Sequence, residues 1–232
     1  MQLNYIQIQE LYKFTREQKV KHFDLQTELV DHLANGIEKQ WKENPTCTFQ
    51  EILALEFEKF GPDGFKKVIE KHDVILDKKY KKLLIRFALE YLKLPKIIGT
   101  IAGIFILVYL QQYEEYFKGW GIIFFVFMLI PYIFLASFQL ELQYKRKVKK
   151  TKKCWKLEEM IFNSAYGFTI ILFFIQSIYN FDLHEIDSIY IQLLIAILMM
   201  CCLIFTYIVF IVLPDKASEL LRETYPEYEL LA

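Results

Sequence analysis

The sequence has few of the residues that build disulfide frameworks or metal centres. Its 232 residues include four cysteines, none of which belongs to a C-x-x-C pair. Cys201 and Cys202 are adjacent inside an apolar run, where cysteine behaves as a small hydrophobic residue. This pattern argues against a disulfide scaffold and against a zinc site, and we expect neither a cofactor nor a metal.

Catalytic signatures are missing as well. The chain has no G-x-S-x-G, H-E-x-x-H, Walker A or dinucleotide-binding sequence. The adjacent acids Glu158 and Glu159 could suggest acid–base chemistry, but acidic residues also favour the first turn of a helix. We favour the second interpretation and predict that the protein is not an enzyme.

Charge is absent from long stretches of the second half, in a chain that is 54% hydrophobic with a mean hydropathy of +0.22. Residues 119–140, 160–181 and 189–213 carry no charged side chain. Each stretch matches the roughly 20 apolar residues that a helix needs to cross a bilayer. A shorter apolar segment, 97–110, reaches that length if the helix extends over 92–113. We therefore predict four transmembrane spans with these bounds.

Positive charge concentrates in one connection between the apolar segments. Residues 144–156 hold eight of the 28 Lys and Arg residues, whereas the connection 180–188 has three acids and no Lys or Arg. The connection 111–119 has a single Lys, so basic and non-basic connections alternate as the positive-inside rule requires. We interpret the run as a topology anchor that rests against anionic lipid headgroups, at about 1 kcal/mol per cation, and not as a nucleic-acid site. A dedicated lipid-binding role beyond orientation is the alternative. The anchor residues are Lys145, Arg146, Lys147, Lys149, Lys150, Lys152, Lys153 and Lys156.

The first 90 residues follow a helical pattern. Apolar residues recur at intervals of four and predict one amphipathic helix, for which Asp24 is the expected N-cap. "TFQE", residues 48–51, predicts a capping box at the start of the next helix. "FGPDG" predicts a turn, after which Pro62 can start a long helix toward the first apolar segment. The apolar stripe of the amphipathic helix is Leu25, Leu29, Leu33, Ile37 and Trp41.

These patterns predict an all-α protein. We expect a cytoplasmic helical bundle over residues 1–90, a four-helix transmembrane domain over 91–214 and a cytoplasmic tail over 215–232. The opening residues show no basic segment followed by an apolar core, so no secretory signal is expected and the N-terminus is predicted to stay in the cytoplasm.

One part of the chain resembles a known module. The pattern "ELVDHLANGIE", a polar break, "TFQEILALEFEKFG" and a following "GF" resembles the HAAS-type helical module, over about residues 5–72. That resemblance implies a regulatory or interaction module at the N-terminus of a bacterial multi-span protein of the cytoplasmic membrane, often encoded near PadR-type regulators. The module's hairpin commonly closes with a "G-D-P"-like turn, whereas this chain has "FGPDGF".

Polar residues of the amphipathic helix form the candidate partner-binding face. Glu28 and His32 are four residues apart and share one side of the helix, so they could also ligate a metal if His72 or His22 supplied a third donor. A solvated helix face is the alternative that we favour over the metal. The candidate partner-binding residues are Glu28, Asp31, His32, Asn35 and Glu38.

The apolar segments offer two further candidates. Gly99 and Gly103 form a G-x-x-x-G pair, which favours close helix packing within the chain or in a homodimer. Ionisable residues are missing from the predicted span interiors, which argues against a proton or ion path. Asn163 and Gln176 would serve the rival hypothesis, a small transporter or transporter subunit. Our preferred hypothesis is a membrane protein with a cytoplasmic module that binds a protein partner.

Overall fold

The protein is described here from a computed structural model that covers residues 2–112, 117–163, 188–225 and 227–228. The secondary structure of these residues is helical and contains no strand. The prediction of an all-α fold is therefore confirmed at the level of fold class.

The chain divides into two compact units. The first contains Met1–Lys79 together with Val148–Glu158, and the second contains Tyr80–Lys147 together with Glu159–Ala232. The first unit thus combines the N-terminal helices with the end of the Lys-rich connection, a combination that the sequence patterns did not predict.

Four helices precede the apolar half, and the remaining ones follow a short break. Helices α1 to α4 are Tyr5–Glu17, Phe23–Glu43, Phe49–Glu58 and Lys66–Glu90. Helices α5 to α7 are Lys96–Gln112, Phe117–Thr151 and Lys156–Phe162. Helix α8, Ile189–Tyr207, continues into a π-helix, Ile208–Val212, and then into α9, Leu213–Asp215, and α10, Ala217–Thr224.

The core of the first unit is built around α2. The predicted apolar stripe of this helix is buried, as its spacing required. It packs with Leu11 of α1, with Ile52 and Leu53 of α3, and with Phe65 in the turn before α4. Burying each such side chain contributes about 1.5–3 kcal/mol, so the stripe supplies much of the unit's stability.

The start of α3 confirms the predicted capping box. The Thr48 hydroxyl accepts from the Glu51 N–H at 3.3 Å, and the Glu51 carboxylate accepts from the Thr48 N–H at 2.8 Å. The Thr48 hydroxyl also donates to the Glu51 carboxylate at 2.9 Å. The two hydrogen bonds that the carboxylate accepts, from the N–H and the hydroxyl of Thr48, hold the pKa of Glu51 below its ordinary value. Helix α1 starts with a second capping box, Asn4 and Gln7, which the sequence analysis missed.

The predicted N-cap of α2 is wrong. The helix begins at Phe23, and its N-cap is His22, which makes no capping bond through its side chain. Asp24 lies one residue inside the helix with its carboxylate almost fully buried, 3.4 Å from Nε2 of His72 on α4. The buried acid is therefore used in a tertiary contact rather than at the helix end.

The long helix after the turn is confirmed as α4, but its start and the start of α5 differ from the predicted positions. Residues 61–65 form a turn in which Gly61 and Gly64 have φ of 82° and 53°, so α4 begins at Lys66 and not at Pro62. Helix α5 begins at Lys96, so the expected helical extension back to Leu92 is wrong. Proline lacks an N–H and disfavours helical geometry in the residue before it, which explains a break ahead of Pro95.

One helical stretch among the described residues is long and apolar enough to cross a membrane. It runs over Ile189–Asp215, and the apolar stretch Lys96–Leu110 is shorter. Residues 119–140 lie inside α6, whereas most of the predicted span 160–181 falls outside the described residues. The four-span arrangement therefore stays a prediction.

We expect Thr48→Ala to destabilise α3 by about 1 kcal/mol, because the N-cap hydroxyl is lost. Hydrogen exchange of the α3 amides in the full chain measures this, with Thr48→Ser as the conservative control that keeps the hydroxyl. Because the pKa of Glu51 is lowered in the folded protein, the stability that its carboxylate contributes is fully present above the ordinary carboxyl pKa. That stability is lost as pH falls through the lowered value. The difference in α3 stability between Thr48→Ala and wild type should therefore shrink as pH falls through this range. A difference that stays the same at low pH would contradict the capping role.

Candidate interaction sites

The predicted partner-binding residues divide into an exposed set and one structural residue. Glu28, Asp31, His32 and Asn35 are exposed on α2. Glu38 is partly buried, and its carboxylate accepts a hydrogen bond from the Leu3 N–H at 3.0 Å. The four exposed residues, which we call the α2 polar face, are available to a partner, whereas Glu38 fastens the N-terminal segment to α2.

Among the described residues, the α2 polar face does not form a set of metal ligands. The ring of His32 lies edge-on to Phe60, with centroids 5.6 Å apart. His72, one of the proposed third donors, contacts Asp24 instead. In the part of the chain that the structure describes, Glu28 and His32 do not meet a third His, Cys, Asp or Glu at ligating distance. The metal alternative for Glu28 and His32 therefore has no support from the described residues.

A lock between α2 and α3 uses two residues of the quoted HAAS-like pattern. The Glu56 side chain is buried, and its Oε1 accepts from Gln40 Nε2 at 2.6 Å and from Lys59 Nζ at 2.5 Å. A Cβ added to Gly36 would lie 2.6 Å from Cδ of Glu56, so a larger residue at this position would have to displace the carboxylate. A glycine within an amphipathic helix costs about 1 kcal/mol relative to alanine. Its presence in α2 was therefore the sequence signal that could have predicted a close approach of α3.

The end of the Lys-rich connection docks onto the start of α2. The Phe23 N–H donates to the Cys154 carbonyl at 2.7 Å. The Trp155 ring is 4% exposed and lies edge-on to the Phe23 ring, with centroids 5.3 Å apart. Leu157 is fully buried immediately beyond. We call this contact of Phe23 with residues 153–156 the junction.

Two cations strengthen the junction. Lys153 Nζ lies 5.0 Å from the centre of the Phe23 ring, within the range of a cation–π interaction. Lys156 Nζ lies 3.1 Å from a carboxylate oxygen of Asp73 on α4. The Phe23 ring also stacks on the Tyr12 ring, with centroids 5.7 Å apart. Lys153 and Lys156, predicted as topology anchors, therefore also hold the connection against the bundle.

The other predicted anchor residues are placed differently. Lys145 pairs with Glu141 at 2.6 Å on the same helix, and Lys147 Nζ lies 3.0 Å from the Tyr228 hydroxyl. The remaining four side chains are exposed at the end of α6 and just after it. They are Arg146, Lys149, Lys150 and Lys152.

The small-residue pair in α5 is used unequally. A Cβ on Gly103 would overlap the thioether end of Met200, so α5 and α8 approach closely at this point. At Gly99 nothing lies within 4 Å of the added Cβ. Packing within the chain thus accounts for Gly103, and a homodimer contact stays a prediction.

The residues named for the transporter and acid–base hypotheses give little structural support to either. Asn163 is exposed just after α7, and Gln176 lies outside the described residues. Glu158 and Glu159 fall in the first turn of α7, where acids are favourable, and Glu158 is 1% exposed.

Comparison with known proteins gave no match: no family model, curated protein or solved structure corresponds to this chain. Its functional interpretation therefore depends on the contacts of its own residues.

We expect Gly36→Ala to destabilise the α2–α3 pair by about 1–3 kcal/mol, even though alanine favours helices, because its Cβ displaces the Glu56 carboxylate. Asn35→Ala, on the neighbouring exposed position, should have little effect and is the matched control. Hydrogen exchange of α2 and α3 in the full chain measures both. In a Glu56→Ala background the Gly36→Ala cost should disappear, and an equal cost in both backgrounds would disprove the lock.

Proposed function

We propose that this chain is an integral protein of the bacterial cytoplasmic membrane whose N-terminal bundle is a regulatory or protein-interaction module on the cytoplasmic side. The observation that carries the proposal is the junction, because it makes the bundle and the Lys-rich connection parts of one compact unit.

The apolar exterior of the second unit supports a lipid surrounding. Large apolar side chains of α5, α6 and α8 are exposed, with Phe105 at 69% and Phe134 at 63%. Only 39% of the most apolar window of Ile189–Asp215 is buried, whereas the core helix of a soluble protein would be mostly buried. So many exposed large apolar side chains in one unit favour a membrane or partner contact.

The junction and the charge pattern agree on sidedness. Segments that pack together in one unit must lie on the same side of a membrane. The positive-inside rule assigns the Lys-rich connection to the cytoplasm, so the bundle that contacts it through Phe23 and Trp155 belongs there too. Two independent features, charge distribution and tertiary contact, thus support one topology.

The α2 polar face is the surface that we assign to a protein partner. Glu28 and Asp31 give it an acidic character beside His32 and Asn35. Two other residues of the same pattern, Gly36 and Glu56, form the lock between α2 and α3, and the Glu56 side chain is buried there. A regulatory module of the HAAS type would accordingly present the exposed residues of this pattern and use the buried ones to hold its shape.

We expect a cysteine at Lys150 to be shielded from a membrane-impermeant maleimide in intact cells and to react after permeabilisation. A cysteine at Ser188, before the last apolar helix, should react in intact cells because the topology places it outside. Both single cysteines are read in the full chain with its own cysteines replaced. Labelling of Lys150→Cys in intact cells would show that the Lys-rich connection lies outside the cell, and the proposal would lose its basis.

We expect a photo-cross-linking amino acid at Asn35 of the full chain to capture one cytoplasmic protein in cells. The charge reversals Glu28→Lys and Asp31→Lys together should reduce that product by at least about tenfold, since close like charges cost several kcal/mol at an interface. The same cross-linker at Lys13, exposed on α1, is the matched control. A product that survives the reversal, or that forms equally from Lys13, contradicts the assignment of the α2 polar face.

A further inference from the structure

The eight basic residues of the connection do not face the same surroundings. Lys153 and Lys156 direct their ammonium groups at Phe23 and Asp73 inside the first unit. Lys149, Lys150 and Lys152 are exposed in the same unit. One short segment therefore carries two groups of cations, of which one is engaged with protein and the other faces outward.

The backbone keeps the exposed group together. Helix α6 ends at Thr151, and Lys152 follows in the left-handed region with φ of 55°, where its N–H donates to the Val148 carbonyl at 2.8 Å. Lys149 and Lys150 occupy the last turn of that helix. Three cations thus lie within four consecutive residues, and the junction fixes the chain just beyond them at Cys154.

We propose that Lys149, Lys150 and Lys152 form a binding patch for the headgroup of an anionic phospholipid, whereas Lys153 and Lys156 hold the bundle to the connection. The inference rests on the proposed membrane location and goes beyond it, because it divides the basic run into two sets with different partners. Charge complementarity selects the occupant: an anionic headgroup at the cytoplasmic surface offers phosphate oxygens to ammonium groups.

Attraction to an anionic surface is worth about 1 kcal/mol per cation, which corresponds to roughly a fivefold change in affinity for each lysine. Neutralising all three lysines should therefore weaken the preference for an anionic lipid by roughly a hundredfold. The binding should also weaken at high salt, because exposed charges are screened.

The test uses the full chain in a neutral detergent and compares the affinity for short-chain phosphatidylglycerol with that for short-chain phosphatidylcholine. Wild type should prefer phosphatidylglycerol, and the variant Lys149→Gln, Lys150→Gln, Lys152→Gly should lose that preference. Glycine at position 152 also relieves the left-handed backbone, so a loss of binding in this variant reflects charge and not misfolding. Inorganic phosphate at the same concentration should not compete.

The matched control is the variant Lys153→Gln, Lys156→Gln, which removes the same kind of charge from the junction. It should keep the lipid preference while increasing hydrogen exchange at residues 153–158. Unchanged preference in the triple variant, or equal loss in both variants, overturns the division of the basic run. A separate test asks whether wild type stays in the membrane fraction during alkaline carbonate extraction. Release into the supernatant contradicts the proposed membrane location. Retention without a lipid preference contradicts this inference alone.

Discussion

The edge-on contact of Phe23 with Trp155 is the interaction on which the architecture of the first unit depends. Burying a tryptophan removes about 150–250 Å² from water, which at about 25 cal/mol per Å² stabilises the contact by at most roughly 4–6 kcal/mol. The backbone hydrogen bond from Phe23 to Cys154 and the cation of Lys153 fix its geometry. Together with the ion pair of Lys156 and Asp73, this contact joins the bundle to the Lys-rich connection.

Helix α2 serves three purposes on three sides. Its apolar stripe supplies the core, Gly36 admits the Glu56 carboxylate of α3, and its polar side stays open to solvent. Its first residue, Phe23, carries the junction. The polar side of α2 thus belongs to a helix whose first residue is bound to the Lys-rich connection.

Local signals in the sequence predicted the local structure well. Four-residue spacing located α2 and its buried side, and "TFQE" located the start of α3, because both depend only on nearby residues. The pairing of Asp24 with His72 and the junction escaped prediction, since each joins residues far apart in sequence without a periodic pattern. The start of α5 could have been placed correctly by giving Pro95 more weight than the hydropathy of Leu92 and Leu94. The exposed side of α2 was predicted, but the use of Glu38 against Leu3 depends on how the N-terminal segment folds back.

The junction also sets an order for biogenesis. Cys154 follows Phe23 by about 130 residues, so the ribosome, at 5–20 residues per second, delivers the second partner roughly 7–26 seconds after the first. Helices α1 to α3 can pack during that interval, but Phe23 lacks its tryptophan neighbour until the intervening apolar segments have been synthesised. The first unit of a newly made chain is thus completed only after those segments have been synthesised.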